Sequence, residues 1–126
     1  MMKSEKNSEL PKPSLSSEAR RDIKNIQDYI ADDKENPKAA LKVIEQILDK
    51  IEDLLRSPNS GTLLSPKVNF ATNYRYKKAA GYLIFYRYES DQIFVDRIIH
   101  EKRDYITVLF PNLINQESGA ENVQTS

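Results

Sequence analysis

The chain has 126 residues, no cysteine, one histidine and a formal net charge of zero. That length suits one domain with a modest core, and the missing thiols exclude disulfides and any metal site built on cysteines or several histidines. No apolar run reaches the roughly 18 residues that span a bilayer, and no signal-peptide pattern opens the chain, so a soluble cytoplasmic protein with no membrane partner is expected.

The first nine residues, "MMKSEKNSE", are polar and aperiodic, and residues 112–126 are similar apart from Leu113 and Ile114. The expectation is a disordered arm (1–9), a single domain (10–111) and a flexible tail (112–126). In "LPKPS", prolines at Pro11 and Pro13 would strip one strand edge of N–H donors, which predicts an edge strand or an extended arm. "LSSEARRDIKNIQDYIADD" reads as a helix with a stripe of Ala19, Ile23, Ile26, Tyr29 and Ile30, capped by Ser16 or Ser17. Asn36 then caps a second helix with Pro37 in its first turn. Its stripe is Ala40, Val43, Ile44, Ile47, Leu48, Ile51, Leu54 and Leu55, and Pro58 is expected to stop it. The short connection implies an antiparallel helix hairpin.

The second half supplies its cover. "NYRYKK", "AGYLIFYRY" and "DQIFVDRII" are rich in aromatic and β-branched residues and read as antiparallel strands, while "KRDYITVLF" reads as a last turn or another strand. The fold class is therefore α+β, an N-terminal antiparallel helix hairpin packed on a C-terminal antiparallel sheet.

Charge is unevenly placed. Residues 14–58 carry eight Lys/Arg against ten Asp/Glu, whereas residues 59–111 carry eight against five. A surplus of three cations marks the second half as the face for an acidic partner but is small for a broad nucleic-acid footprint. Gly61, Gly81 and Gly119 are too far apart for a phosphate loop, and the carboxylates lie mostly on solvated helix faces. What remains is a set of cations and tyrosines in the strand region. Alternation places Tyr74, Tyr76 and Lys78 on one sheet face, with Arg75 and Lys77 on the other. Basic residues beside aromatics suit base stacking and phosphate contact. Equally, the tyrosines bury their rings while the cations keep the sheet soluble, and spacing alone favours this second account. For His100, the catalytic case is an imidazole near arginines, and the structural case is a strand end held by local hydrogen bonds.

Taken in order, "SSEARRDIKNIQDYIA", "AALKVIEQILDKIEDLLRSPNSG", "YR", "GYLIFYRY" and "RIIHEKRD" resemble the RelE/ParE superfamily of toxins from bacterial type II toxin–antitoxin systems. The resemblance spans Leu15 to Leu109 and implies a helix hairpin on an antiparallel sheet, with a co-encoded antitoxin as partner. It also implies a first strand ahead of the first helix, where the two prolines of "LPKPSL" depart from the pattern. RelE-like members cleave mRNA on the ribosome, whereas ParE-like members inhibit DNA gyrase and need no nuclease site. A nuclease would use Arg75, His100, Arg103 and Tyr105. Cleaving relatives also carry an arginine just inside the central strand, where this chain has Leu83. The "YLIFYRY … RIIHEKRD" ending is closer to the ParE branch, so the resemblance implies a gyrase inhibitor rather than an enzyme, with no cofactor or metal. Target-binding candidates are Arg75, Lys77, Lys78, Arg87, Lys102 and Arg103. The alternatives are a RelE-like mRNA endonuclease acting at the ribosome and a non-toxic interaction module.

Overall fold

Residues 12–33, 36–68 and 70–112 are described by a computed structural model. In chain order they form β1 (Ser14–Leu15), α1 (Ser17–Asp33), α2 (Pro37–Asp53), β2 (Thr62–Leu63), α3 (Ser65–Val68), β3 (Arg75–Ala79), β4 (Tyr82–Glu89), β5 (Gln92–His100) and α4 (Tyr105–Leu109). The expected arm at 1–9 and the tail from 113 lie outside the described residues, as do Leu10 and Pro11.

Ser16 starts the architecture. Its backbone N–H donates to Val95 O at 2.9 Å, its Oγ donates to Asp96 O at 2.7 Å, and the same Oγ accepts from the Ala19 N–H at 2.9 Å. One serine thus satisfies an orphan donor of α1 and ties the helix entrance to the sheet. Just before it, β1 pairs in parallel with β5 (Ser14 opposite Phe94, Leu15 opposite Val95). Pro13 has no N–H and α1 begins at Ser17, so this strand stays two residues long at the sheet edge. The remaining strands are antiparallel in the order β1-β5-β4-β3-β2, so the antiparallel sheet gains one parallel edge.

Asn36 Oδ1 accepts from the Ala39 N–H at 3.1 Å and Pro37 opens α2. The helix ends at Asp53, short of Pro58, because the N–H groups of Leu54, Leu55 and Arg56 turn back to the carbonyls three residues earlier. The two stripes bury Ala19, Ile26, Ile30, Ala40, Ile44, Ile47, Ile51 and Leu54 against Ile84, Tyr86, Ile93, Val95 and Ile98 of the sheet. Tyr29 and Leu48, assigned to the stripes by spacing, are instead 59% and 44% exposed. Each sits about 100° around its helix from a buried neighbour, Ile30 and Ile47 respectively, which takes it off the contact line.

The opposite sheet face carries a second, smaller cluster. Leu64, Leu83, Phe85 and Ile99 are buried there under side chains of α3, α4 and the β3 approach, including Tyr74, Tyr76, Tyr105 and Phe110. This explains the unbroken burial of Leu83–Tyr86 in β4: alternate residues point into two different cores. The "DYITVL" segment, expected as a turn or strand, is the short helix α4, with Asp104 Oδ1 accepting from the Thr107 N–H at 3.4 Å. A bulge opposite Phe85 and Tyr86 leaves Asp96 without a partner in β4. It resets the pleat, so Val95 and Ile98, three residues apart, both face the helix hairpin.

Candidate functional site

The cations named from sequence divide into those held by the fold and those presented by it. Arg75 belongs to the first group. Its guanidinium donates to the carbonyls of Asn59 (3.1 Å) and Gly61 (2.9 Å), pinning the loop after α2. Arg87 is held as well, donating to Asp96 at 2.8 Å and Glu89 at 2.9 Å with its guanidinium 4.9 Å from the Phe94 ring centroid. The hydrogen bond to Asp96 raises the Arg87 pKa further, and Tyr74 Oη donates to the same carboxylate at 2.7 Å. Burial, then this hydrogen bond, pushes the Tyr74 hydroxyl well above its ordinary range. Arg97, outside the nuclease and target sets, makes a bidentate pair with Asp22 of α1 at 2.8 and 2.9 Å.

His100 ends β5 opposite Tyr82, its ring edge-on to the tyrosine at 5.1 Å. Its Nδ1 accepts from the Lys102 N–H at 3.1 Å, so the imidazole closes the turn that follows the strand. With Arg103 it borders a groove of about 640 Å³ between α1 and the end of the sheet. Ile26, Ile30 and Val43 form apolar walls there, and the exposed Tyr29 stands beside Tyr82. Lys102 and Arg103 are exposed in the turn.

Tyr105 lies on the other sheet face, its ring 5.3 Å from that of Phe85. It borders a second cleft, of about 330 Å³, together with Lys77, Lys78, Leu83, Tyr76 and Lys67. Lys78 pairs there with Glu101 at 2.9 Å, which lowers the Glu101 pKa. The structure therefore brings His100 to Arg103, and Tyr105 to Lys78, but separates the two groups by the thickness of the sheet; Lys77, opposite Ile84 at the sheet's margin, also lines a pocket with Lys50, Asp53 and Arg56 on the hairpin side. Arg75 and Arg87 join neither. The sequence passes over Lys67, which reads as part of a proline-bearing loop but lies in α3, and Tyr29, which the helical stripe absorbed. Neither carries a local signal, because each gains its neighbours through the tertiary fold. Among the described residues, no three His, Cys, Asp or Glu side chains are placed to hold a metal ion, and no helix is long and apolar enough to cross a membrane.

A family described as "ParE toxin of type II toxin-antitoxin system, parDE" matches residues 14–105, which takes in every element from β1 to the start of α4. The chain belongs to the ParE toxin family. No curated relative matches it. A solved structure described as "Chromosomal ParDE TA system from P. aeruginosa" shares the fold, with a TM-score of 0.60 at 18% identity, covering 72% of this chain and 96% of that one. Within this ParE-family chain, the match confirms the hairpin-on-sheet scaffold and the ParE side of the resemblance.

Proposed function

We propose that the chain arrests growth by inhibiting DNA gyrase and is neutralised by a co-encoded antitoxin. The observation that carries this reading is the dispersal of the groups a nuclease would need. General acid–base cleavage requires base, acid and phosphate-holding cation to converge on one phosphate, within hydrogen-bond reach of the atoms they serve. Here His100 and Arg103 border the groove beside α1, Tyr105 lies across the sheet, and Arg75 is occupied by loop carbonyls. Leu83, where cleaving relatives carry arginine, is 9% exposed and packs in the second cluster. An acidic, amphipathic antitoxin segment suits the larger groove, whose apolar walls end in His100 and Arg103.

Purified protein in a gyrase supercoiling assay, run beside mapping of mRNA ends after induction, tests the reading. Gyrase inhibition with intact mRNA is expected. New codon-positioned mRNA ends that vanish in His100→Ala, with supercoiling unaffected, would overturn it. Unimpaired growth on induction of the isolated chain would favour a non-toxic module, and failure of the operon neighbour to co-purify would remove the antitoxin.

A further inference from the structure

The outward face of α2 has no partner in the fold, and it carries two leucines that the buried stripe does not use. Leu41 is 54% and Leu48 44% exposed. They are seven residues apart, which at about 100° per residue brings them within about 20° of one line along the helix. Leu55 continues that line, but it is half-buried and packs against the core. The outward positions of α1 are instead polar, with Arg21, Lys24 and Asp28 exposed. An apolar seam with a seven-residue repeat, confined to one helix, fits a narrow contact with a second helix.

The identity of that helix follows from the charges beside the seam. Lys38, Lys42, Glu45, Asp49 and Glu52 all lie within about 100° of it on one side. All five are exposed, and none makes an ion pair with a described residue. The cations stand at the N-terminal end of this row and the carboxylates at the C-terminal end. A two-fold axis that sets Leu41 of one copy against Leu48 of the other lays the two helices antiparallel, with the same flank of each face to face. Lys38 then meets Glu52, and Lys42 meets Asp49, once on each side of the axis. A parallel arrangement would set lysine on lysine and carboxylate on carboxylate. We propose that this chain self-associates as an antiparallel dimer through the Leu41–Leu48 seam of α2. Val43, which lines the groove beside Tyr29, lies about 160° around the helix from Leu41, so that groove stays open in the dimer. One group opposes the pairing: Glu45 sits next to the axis and meets its own copy.

The proposal stands apart from gyrase inhibition, and its main test contains neither gyrase nor antitoxin, so either can fail alone. A contact of one helix per copy falls below the about 1,200–2,000 Å² of a standard interface, which puts the dissociation constant on the order of tens of micromolar. Sedimentation velocity of the full chain, from low to high micromolar concentration, should show monomer passing to dimer, and added salt should weaken the dimer. Leu41→Gln/Leu48→Gln should weaken it at least about tenfold without lowering the thermal midpoint, because both side chains are exposed in the monomer. Glu45→Gln should tighten it about two- to fivefold by removing the like-charge contact. Lys38→Glu/Lys42→Glu and Asp49→Lys/Glu52→Lys should each weaken self-association at least about tenfold, and an equimolar mixture of the two should recover the dimer. A chain that stays monomeric throughout, a dimer that salt strengthens, leucine or charge variants that leave association unmoved, or a mixture that fails to recover would each overturn the proposal. Loss of binding to the operon neighbour in the leucine variant, with the mass of the isolated chain unaffected, would overturn it in favour of the antitoxin as occupant.

Discussion

Tyr86→Phe isolates one oxygen on which the loop after α2 depends. Tyr86 is fully buried, and its hydroxyl both donates to Pro58 O and accepts from the Gly61 N–H, each at 2.8 Å. Gly61 is itself buried, and a Cβ there would come within 2.6 Å of Tyr86 Cε1, so the loop is built around this ring. Deleting the oxygen leaves a buried amide donor without a partner, at about 1–3 kcal/mol, and a partly exposed carbonyl that water can re-satisfy for less than about 1 kcal/mol. The expected loss is about 1–4 kcal/mol, or roughly 4–16 °C in thermal midpoint at about 4 °C per kcal/mol for a domain of this size. Denaturant unfolding reads it directly, as a lower midpoint with unchanged m-value. Arg75 donates to the Gly61 carbonyl of the same loop, so combining Arg75→Gln with Tyr86→Phe should be non-additive by at least about 0.5 kcal/mol. Tyr88→Phe, which removes an exposed 3.4 Å contact with Asp91, is the control and should cost under about 0.5 kcal/mol. A Tyr86→Phe loss no larger than this control would refute the loop's dependence on the hydroxyl.

Asp22→Ala should cost about 3–5 kcal/mol, since it strands the Arg97 guanidinium and the Ile98 N–H (2.9 Å from Asp22 Oδ2), and side chains only 11% and 25% exposed cannot rehydrate freely. A denaturant-derived loss below about 1 kcal/mol would count against that clamp. Ala80→Gly should stabilise by about 0.5–1 kcal/mol, because Ala80 sits at φ 55° and the relief of left-handed strain outweighs glycine's extra unfolded-state entropy; an unchanged or lower thermal midpoint would contradict it. Burial raises the pKa values of Tyr74, Tyr82 and Tyr86 above the ordinary 10.0, so the folded state holds its phenolic protons more tightly than the unfolded chain. Stability from this source is complete below about pH 10 and falls as pH rises through the folded values, and Tyr82→Phe should blunt that alkaline loss in a pH series of unfolding midpoints.

The helix hairpin was legible because period, cap and breaker agree within short windows. Ser16 and Asn36 each cap the helix that follows them, and the buried residues of α2 lie on the predicted stripe. The errors fall at stripe margins, where Tyr29 and Leu48 have the right hydropathy but the wrong angle. β4 was legible as a strand. Its lack of alternation, "LIFY", already carried the sign of a sheet covered on both faces. The short pieces that provide the second cover were not legible. β2 has two residues and α3 four, too few for any period to register, and β2 forms through its pairing with β3.

The site was legible as an inventory of cations and tyrosines, and tertiary pairing decided which of them are free. Arg97 is neutralised by an aspartate 75 residues away, and Arg75 keeps its charge but is held by carbonyls of a loop 14 to 16 residues back. The relation of His100 to Tyr105 turned on a still smaller feature. Strict alternation from Ile93 and Val95 would send Arg97 and Ile99 toward the hairpin, leaving Ile98 and His100 on the face that Tyr105 occupies. The bulge at Asp96 inserts one residue into that count. Ile99 joins the second cluster, Ile98 returns to the hairpin side, and His100 follows it to the groove beside Tyr29. Bulges depend on the facing strand and on what the extra residue can bind, here Arg87 and Tyr74 through the Asp96 carboxylate. One inserted residue thus parts the histidine from the tyrosine, two residues that the sequence alone sets five positions apart.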